Sequence, residues 1–154
     1  MKTTTLTLAL LLLVSTAPVS AAVPPDLAES ARQIERFPAS RGQESESARL
    51  KRFFDLYWTA RLQAFPDLAA AVGYPGFEGR WPDLSPETIA LIHRITRLEM
   101  AGISSIDRSR LAPAEQVDYD LARRRLEMRI EGERFSRAGA VSQRIPAHHP
   151  VERD

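Results

Sequence analysis

The stretch SARLKRFFDLYWTARLQAF, residues 47–65, decides how the rest of the chain is read. Leu50, Phe53, Phe54, Tyr57, Trp58, Leu62 and Phe65 recur at helical spacing, with Arg61 as the one polar interruption. On a helix of about 3.6 residues per turn they form one broad apolar stripe. Such a stripe has to be buried, so the later helices are its expected partners. Ser47 is the expected N-cap. Phe65-Pro66 is the expected end, because a residue before proline avoids helical angles.

Downstream, Pro66 and Asp67 open a short turn of helix closed by Gly73. YPGFEGRWPD, residues 74–83, is dense in proline and glycine and reads as a loop, with Trp81 as an apolar plug. A second helix starts at Leu84-Ser85-Pro86-Glu87, where Ser85 caps, Pro86 takes the first helical position and Glu87 meets the dipole. It is expected to run to residue 106. Ile89, Ile92, Ile95, Thr96, Leu98 and Ile103 form its expected inner face, Leu91 widens it, and Gly102 weakens the last turn. A third helix opens at Pro113, after a poor cap in Ala112, and is expected to run to residue 135. Its expected stripe is Val117, Leu121, Met128 and Phe135, widened by Ala122, Leu126 and Ile130. Asp120 with Arg124, and Glu133 with Arg137, are spaced as helical ion pairs.

Upstream, residues 23–46 read as a polar lead-in and mobile linker. Within it residues 26–37 have the makings of a short helix, with Leu27, Ile34 and Phe37 on one side. Residues 1–22 read as a signal peptide: Lys2, the apolar core LTLALLLLV at 6–14, Pro18, and small residues before a cleavage point at Ala21 or Ala22. That core is far shorter than the ~20 residues that span a bilayer, so no stable membrane span is expected after cleavage. The expected destination is the periplasm or the outside of a bacterial cell. Residues 136–154 lose all periodicity and read as a disordered tail.

The chain has 154 residues, one domain's length, with 21 basic and 20 acidic side chains and a net charge of +1. That balance argues against a nucleic-acid partner. No cysteine is present, which excludes a disulfide framework and thiolate metal sites. His148 and His149 are flanked by Pro146 and Pro150, so they share no helical face and lack further ligands. His93 has no partner motif. Asp118 and Asp120 flank Tyr119, but residues two apart project to different faces, so structural roles near the helix start are expected. Arg123, Arg124 and Arg125 read as a solvated, paired face. The aromatic cluster of Phe53, Phe54, Tyr57 and Trp58 reads as core. No phosphate loop, nucleophile elbow or His-Glu-x-x-His motif occurs.

Three stretches in succession carry a family resemblance: FDLYW (54–58) with PDLA (66–69), PDLSPE (82–87), and LAPAEQVDYDL (111–121). Together, over about residues 50–135, they resemble the N-terminal part of the bacterial domain-of-unknown-function 885 family. The resemblance implies an exported, all-helical protein, much longer than this chain and similar to zinc metallopeptidases of the carboxypeptidase kind. The metal motif of such proteins, of the His-Glu-x-x-Pro-Gly-His type, lies far downstream. SQRIPAHH, residues 142–149, echoes it, but Ser142 and Gln143 stand where histidine and glutamate are needed.

The expectation is therefore an all-α protein: an open bundle of about three long helices, with short N-terminal helices and a disordered tail. Its helical domain spans 47–135 and is the N-terminal segment of a larger helical fold, truncated and inactive alone. No catalytic, cofactor-binding or metal residue is assigned, and zinc is implied only for full-length relatives. The expected partner is the missing C-terminal part of its own fold, or a second copy. The alternative is a free-standing periplasmic module that binds a protein or peptide.

Overall fold

The computed structural model describes residues 25–142, with side chains over 26–135. The chain is all-α: α1 (Pro25–Arg36), α2 (Glu46–Ala64), α3 (Pro66–Ala71), α4 (Pro86–Ser104) and α5 (Pro113–Ser142), with short 3-10 turns at Phe37–Ser40 and Arg108–Arg110. No strand occurs among the described residues. The signal-peptide segment, residues 1–22, lies outside them, as do residues 143–154 of the expected tail. Residues 136–142 correct the tail's start, because α5 runs through them.

The expected starts and stops of the helices are largely present. Ser85 accepts from the Thr88 amide at 3.3 Å, and Pro86 takes the first helical position. Asp83 adds a second brace: its carboxylate accepts from the Ser85 amide at 2.9 Å and the Thr88 hydroxyl at 2.7 Å. Gly73 closes α3 at φ +68°, a left-handed angle that glycine adopts without steric cost. For α2 the N-cap is Ser45, not Ser47, and accepts from the Ala48 amide. Ser47 instead donates to Glu115 Oε2 at 2.8 Å, tying the start of α2 to that of α5. The same Glu115 oxygen accepts from the Ala112 amide at 2.8 Å, so the third residue of α5 supplies the cap that Ala112 lacks.

The short helix expected at residues 26–37 is present as α1, and the linker reading around it is corrected over residues 25–40. From Pro25 to Ser40 the segment is helical and forms part of the core. Leu27, Ala31, Ile34 and Phe37 are all buried. They recur at spacings of four and three, a short stripe that polar neighbours obscure in the sequence. Leu27, Ala31 and Ile34 pack with Ala60, Ala64 and Ile95 between α1, α2 and α4. A second cluster gathers Phe37 of the first 3-10 turn, Leu50 and Phe53 of α2, Ile103 of α4, Ile106 and Leu111 of the connection after it, and Tyr119, Ala122 and Leu126 of α5. Leu56 packs against both clusters.

Burying α1 turns the neighbouring helices. On α4 the buried face is Thr88, Ile95, Thr96, Glu99, Gly102 and Ile103, while Ile89 is exposed. On α5 the buried residues are Tyr119, Ala122, Leu126 and Glu133. The stripe expected to face inward, Val117, Leu121, Met128 and Phe135, faces water, with Phe135 72% exposed. Trp81 plugs nothing: it is 84% exposed on its loop. The expected ion pairs also differ. Asp120 accepts from Nε and Nη2 of Arg108, at 2.8 and 2.7 Å, rather than from Arg124. Glu133 pairs with Arg97 of α4, and the side chain of Arg137 lies outside those described.

A buried charge joins these elements. Arg49 has 0% exposure. It donates to Glu46 Oε2 at 2.8 Å, to the Ser105 carbonyl at 2.9 Å, to Ser105 Oγ at 2.7 Å and to Ser40 Oγ at 3.4 Å. Its guanidinium also lies over the Phe37 ring, 5.2 Å from the centroid. Glu46 Oε2 accepts from the Asp107 amide at 3.1 Å as well. Arg49→Met leaves Glu46 buried without its cation, a loss of about 3–5 kcal/mol. Urea unfolding should show the midpoint falling accordingly, with partial recovery in Glu46→Leu/Arg49→Met.

Gly102 does more than weaken a turn. A Cβ there would stand 3.4 Å from Phe53 and 3.5 Å from Phe37, whose rings meet edge to face with centroids 5.8 Å apart. Alanine fits at ordinary contact and brings a helix-propensity gain of up to about 1 kcal/mol. Gly102→Leu has no such room and costs on the order of 1–3 kcal/mol. The order of thermal midpoints, alanine at or above wild type and leucine below, checks this.

Candidate functional site

α5 packs chiefly on α4, and α1 on α2 and α4, while α2 and α5 meet only sparingly. An open cleft of ≈ 630 Å³ results, lined by Tyr57 and Arg61 of α2 and Phe65 just after it, Ile92, His93 and Thr96 of α4, and Arg125, Met128, Arg129, Gly132 and Glu133 of α5. A small void of ≈ 10 Å³ adjoins it, shares Arg61, Phe65, Ile92, Thr96 and Arg129, and reaches Glu99.

Each charged group arrives on a helix face that packing has chosen. Arg61 interrupts the aromatic stripe of α2 and sits at the cleft's edge, 4.8 Å above the Phe65 ring centroid. Arg129 follows Leu126 by three residues on α5; it donates to the Tyr57 hydroxyl and to Glu99 Oε2 at 3.4 Å, and its guanidinium lies 5.3 Å from the Tyr57 ring centroid. Arg125 is exposed on the cleft's rim. Its neighbours Arg123 and Arg124 both pair with Glu127, as the paired-face reading of the basic run expects. Arg125 stands apart, with no ion pair among the described residues.

Two effects set the electrostatics. Glu99 lies on the inner face of α4 at 1% exposure, and burial pushes its carboxyl up to about 7. Arg129 and Arg61 oppose that rise but do not cancel it. Arg61 is held below the usual guanidinium range, by burial first and by the neighbouring Arg129 charge second. It has no carboxylate within ion-pair distance among the described residues. Three guanidiniums thus line a cleft whose one acid, Glu133, is already paired with Arg97, while Glu99, in the adjoining void, pairs with Arg129 and is partly protonated through burial.

The residues singled out in the sequence fare unevenly. His93 lines the cleft, half-buried. Tyr119 is core, and Asp120 braces Arg108. Asp118 is exposed beside Phe54, Tyr57, Leu121 and Arg125. Of the aromatic cluster, Phe53 is buried, Phe54 and Tyr57 are half-buried, and Trp58 is exposed. His148 and His149 lie outside the described residues. Among the described residues no group of three or more His, Cys, Asp or Glu side chains could hold a metal, and no helix is long and apolar enough to cross a membrane.

Sequence reading missed Glu99 and Arg129, and it placed Arg125 on the paired basic face rather than at the cleft. Glu99 had a usable signal: it falls four residues after Ile95 and four before Ile103, a carboxylate set inside an apolar stripe. Arg61 had the same kind of signal. Arg125 and Arg129 had none, because only packing separates them from the other arginines of α5.

No protein-family model, no curated protein and no solved structure matches this chain.

The raised Glu99 carboxyl predicts a pH dependence. The folded state holds a proton that the unfolded state releases near the ordinary carboxylate value. Stability from this group is therefore complete below about pH 4.5 and is lost as pH rises through about 7. The full effect is on the order of 3 kcal/mol. Glu99→Gln keeps a neutral side chain at every pH. Its thermal midpoint should gain on wild type between about pH 5 and pH 8, as a midpoint-against-pH curve for both proteins would show.

Proposed function

We propose that this chain is an exported helical scaffold, the N-terminal segment of a longer metallopeptidase-like protein, with no catalytic machinery of its own. One observation carries the reading. Val117, Leu121, Met128 and Phe135 lie within about 40° of one another around α5, and each is at least half exposed. A helix of a self-contained bundle turns its apolar stripe inward; here the stripe points away from the core. The loop before α4 adds further uncovered apolar surface at Tyr74, Trp81 and Leu84.

The family resemblance supplies the occupant: the downstream helices that its longer members carry. Docked on the α5 ridge, they would convert exposed apolar surface into core, and the bundle would support a cleft built mainly by those helices. The zinc that the resemblance attaches to longer relatives finds no ligand set among the described residues, so no chemical step is derived through it here.

Residues 23–154, purified, should bind a hydrophobic dye and self-associate at micromolar concentration. Val117→Gln/Leu121→Gln/Phe135→Gln should lose both properties at little cost in stability, about 0.5 kcal/mol or less per site. A sharply melting monomer that ignores the dye overturns the proposal and favours a free-standing interaction module.

A further inference from the structure

Beyond the scaffold role, we infer that the cleft between α2 and α5 is a binding site for a small amphiphilic carboxylate, with Arg61, Arg125 and Arg129 receiving the headgroup and Phe65, Ile92 and Met128 the apolar body. Three observations point there together. First, Arg61 and Arg125 lack an acidic partner among the described residues, although most arginines nearby are paired, and Arg61 is half-buried beside the like charge of Arg129. The one anion near both guanidiniums is Glu99, 3.4 Å from Arg129 and partly neutralised by burial, so their repulsion is incompletely offset and a bound carboxylate would relieve it through charge-assisted hydrogen bonds. Second, the cleft's volume of ≈ 630 Å³ falls within the range of about 300–1,000 Å³ typical of small-molecule sites. Third, the lining is divided. Arg61 in the last turn of α2 and Phe65 just after it set a cation beside an aromatic ring, and Ile92 and Met128 extend the apolar wall on α4 and α5.

Glu99 tunes the site. As a carboxylate it competes for Arg129, which it reaches at 3.4 Å; as the neutral acid it leaves that guanidinium to the ligand. Tyr57 holds Arg129 in place through its hydroxyl. His93 and Glu133 are the other titratable groups lining the cleft, Glu133 is paired with Arg97, and the exposed Asp118 lies beside Arg125.

The test is calorimetric titration of the full chain at low salt with octanoate, octanol and inorganic phosphate. Octanoate should bind. Octanol, which shares its tail, and phosphate, which lacks one, should each bind at least about tenfold more weakly. Arg125→Gln, at an exposed position, should weaken octanoate by about tenfold, and Arg61→Met further. Arg123→Gln, outside the cleft, should leave it unchanged. The inference is overturned if octanoate and octanol bind alike, if phosphate matches octanoate, or if Arg125→Gln binds octanoate as wild type does. None of these substitutions touches Val117, Leu121 or Phe135, so the dye experiment on the α5 ridge stands or falls separately.

Discussion

Where α1 turns into α2 and α4 runs out toward α5, a guanidinium with no access to water holds the segments together. A buried charge is tolerable only when its hydrogen-bonding capacity is met and a counter-charge lies close by. Arg49 satisfies both demands, with Glu46 one turn earlier on the same helix and oxygens from Ser40 and Ser105 on its other nitrogens. The last of these sits at the C-terminal end of α4, where the helix dipole favours a cation. Glu46 completes the junction by accepting from the Asp107 amide. The chain is thereby held at three points before α5 begins, and Glu115 with Ser47 adds a fourth.

The layout of the bundle follows from this junction. With α1 pinned beside α2 and α4, the shared apolar faces of those two helices are largely occupied by Leu27, Ala31 and Ile34. α5 is left to pack along one side, mainly on α4, with a narrow buried face centred on Ala122 and Leu126. Its apolar residues exceed what that face can absorb. The surplus emerges as the outward ridge, and the angle left between α2 and α5 opens as the cleft. The scaffold reading and the carboxylate reading thus draw on two consequences of one packing arrangement.

Much of the architecture was legible before any coordinates. Local chemistry marks where helices begin: Pro86 behind Ser85, Pro113 followed by Glu115, and Phe65 held out of helical angles by Pro66 all act within a few residues of themselves. The helical class of the chain and the positions of α2, α3 and α4 follow. The short helix expected at residues 26–37 is present as α1, but its place in the core was hidden because its apolar residues are few and their polar neighbours many. Sequence composition reports average polarity, whereas burial depends on which side meets the neighbouring helix. The site was almost wholly hidden, since a cleft among three helices belongs to none of them.

The sequence by itself determined an all-α chain, the start signals of its helices and the presence of more apolar surface than polar loops can hide, because propensity, capping and hydrophobic period are properties of neighbours along the backbone. Only the tertiary structure decided which face of each helix is buried, that Arg49 is interior while Arg125 is not, and that Glu99 keeps its proton near neutrality. Those outcomes depend on desolvation and on charges brought together from distant segments, and such distances exist only once the helices have packed.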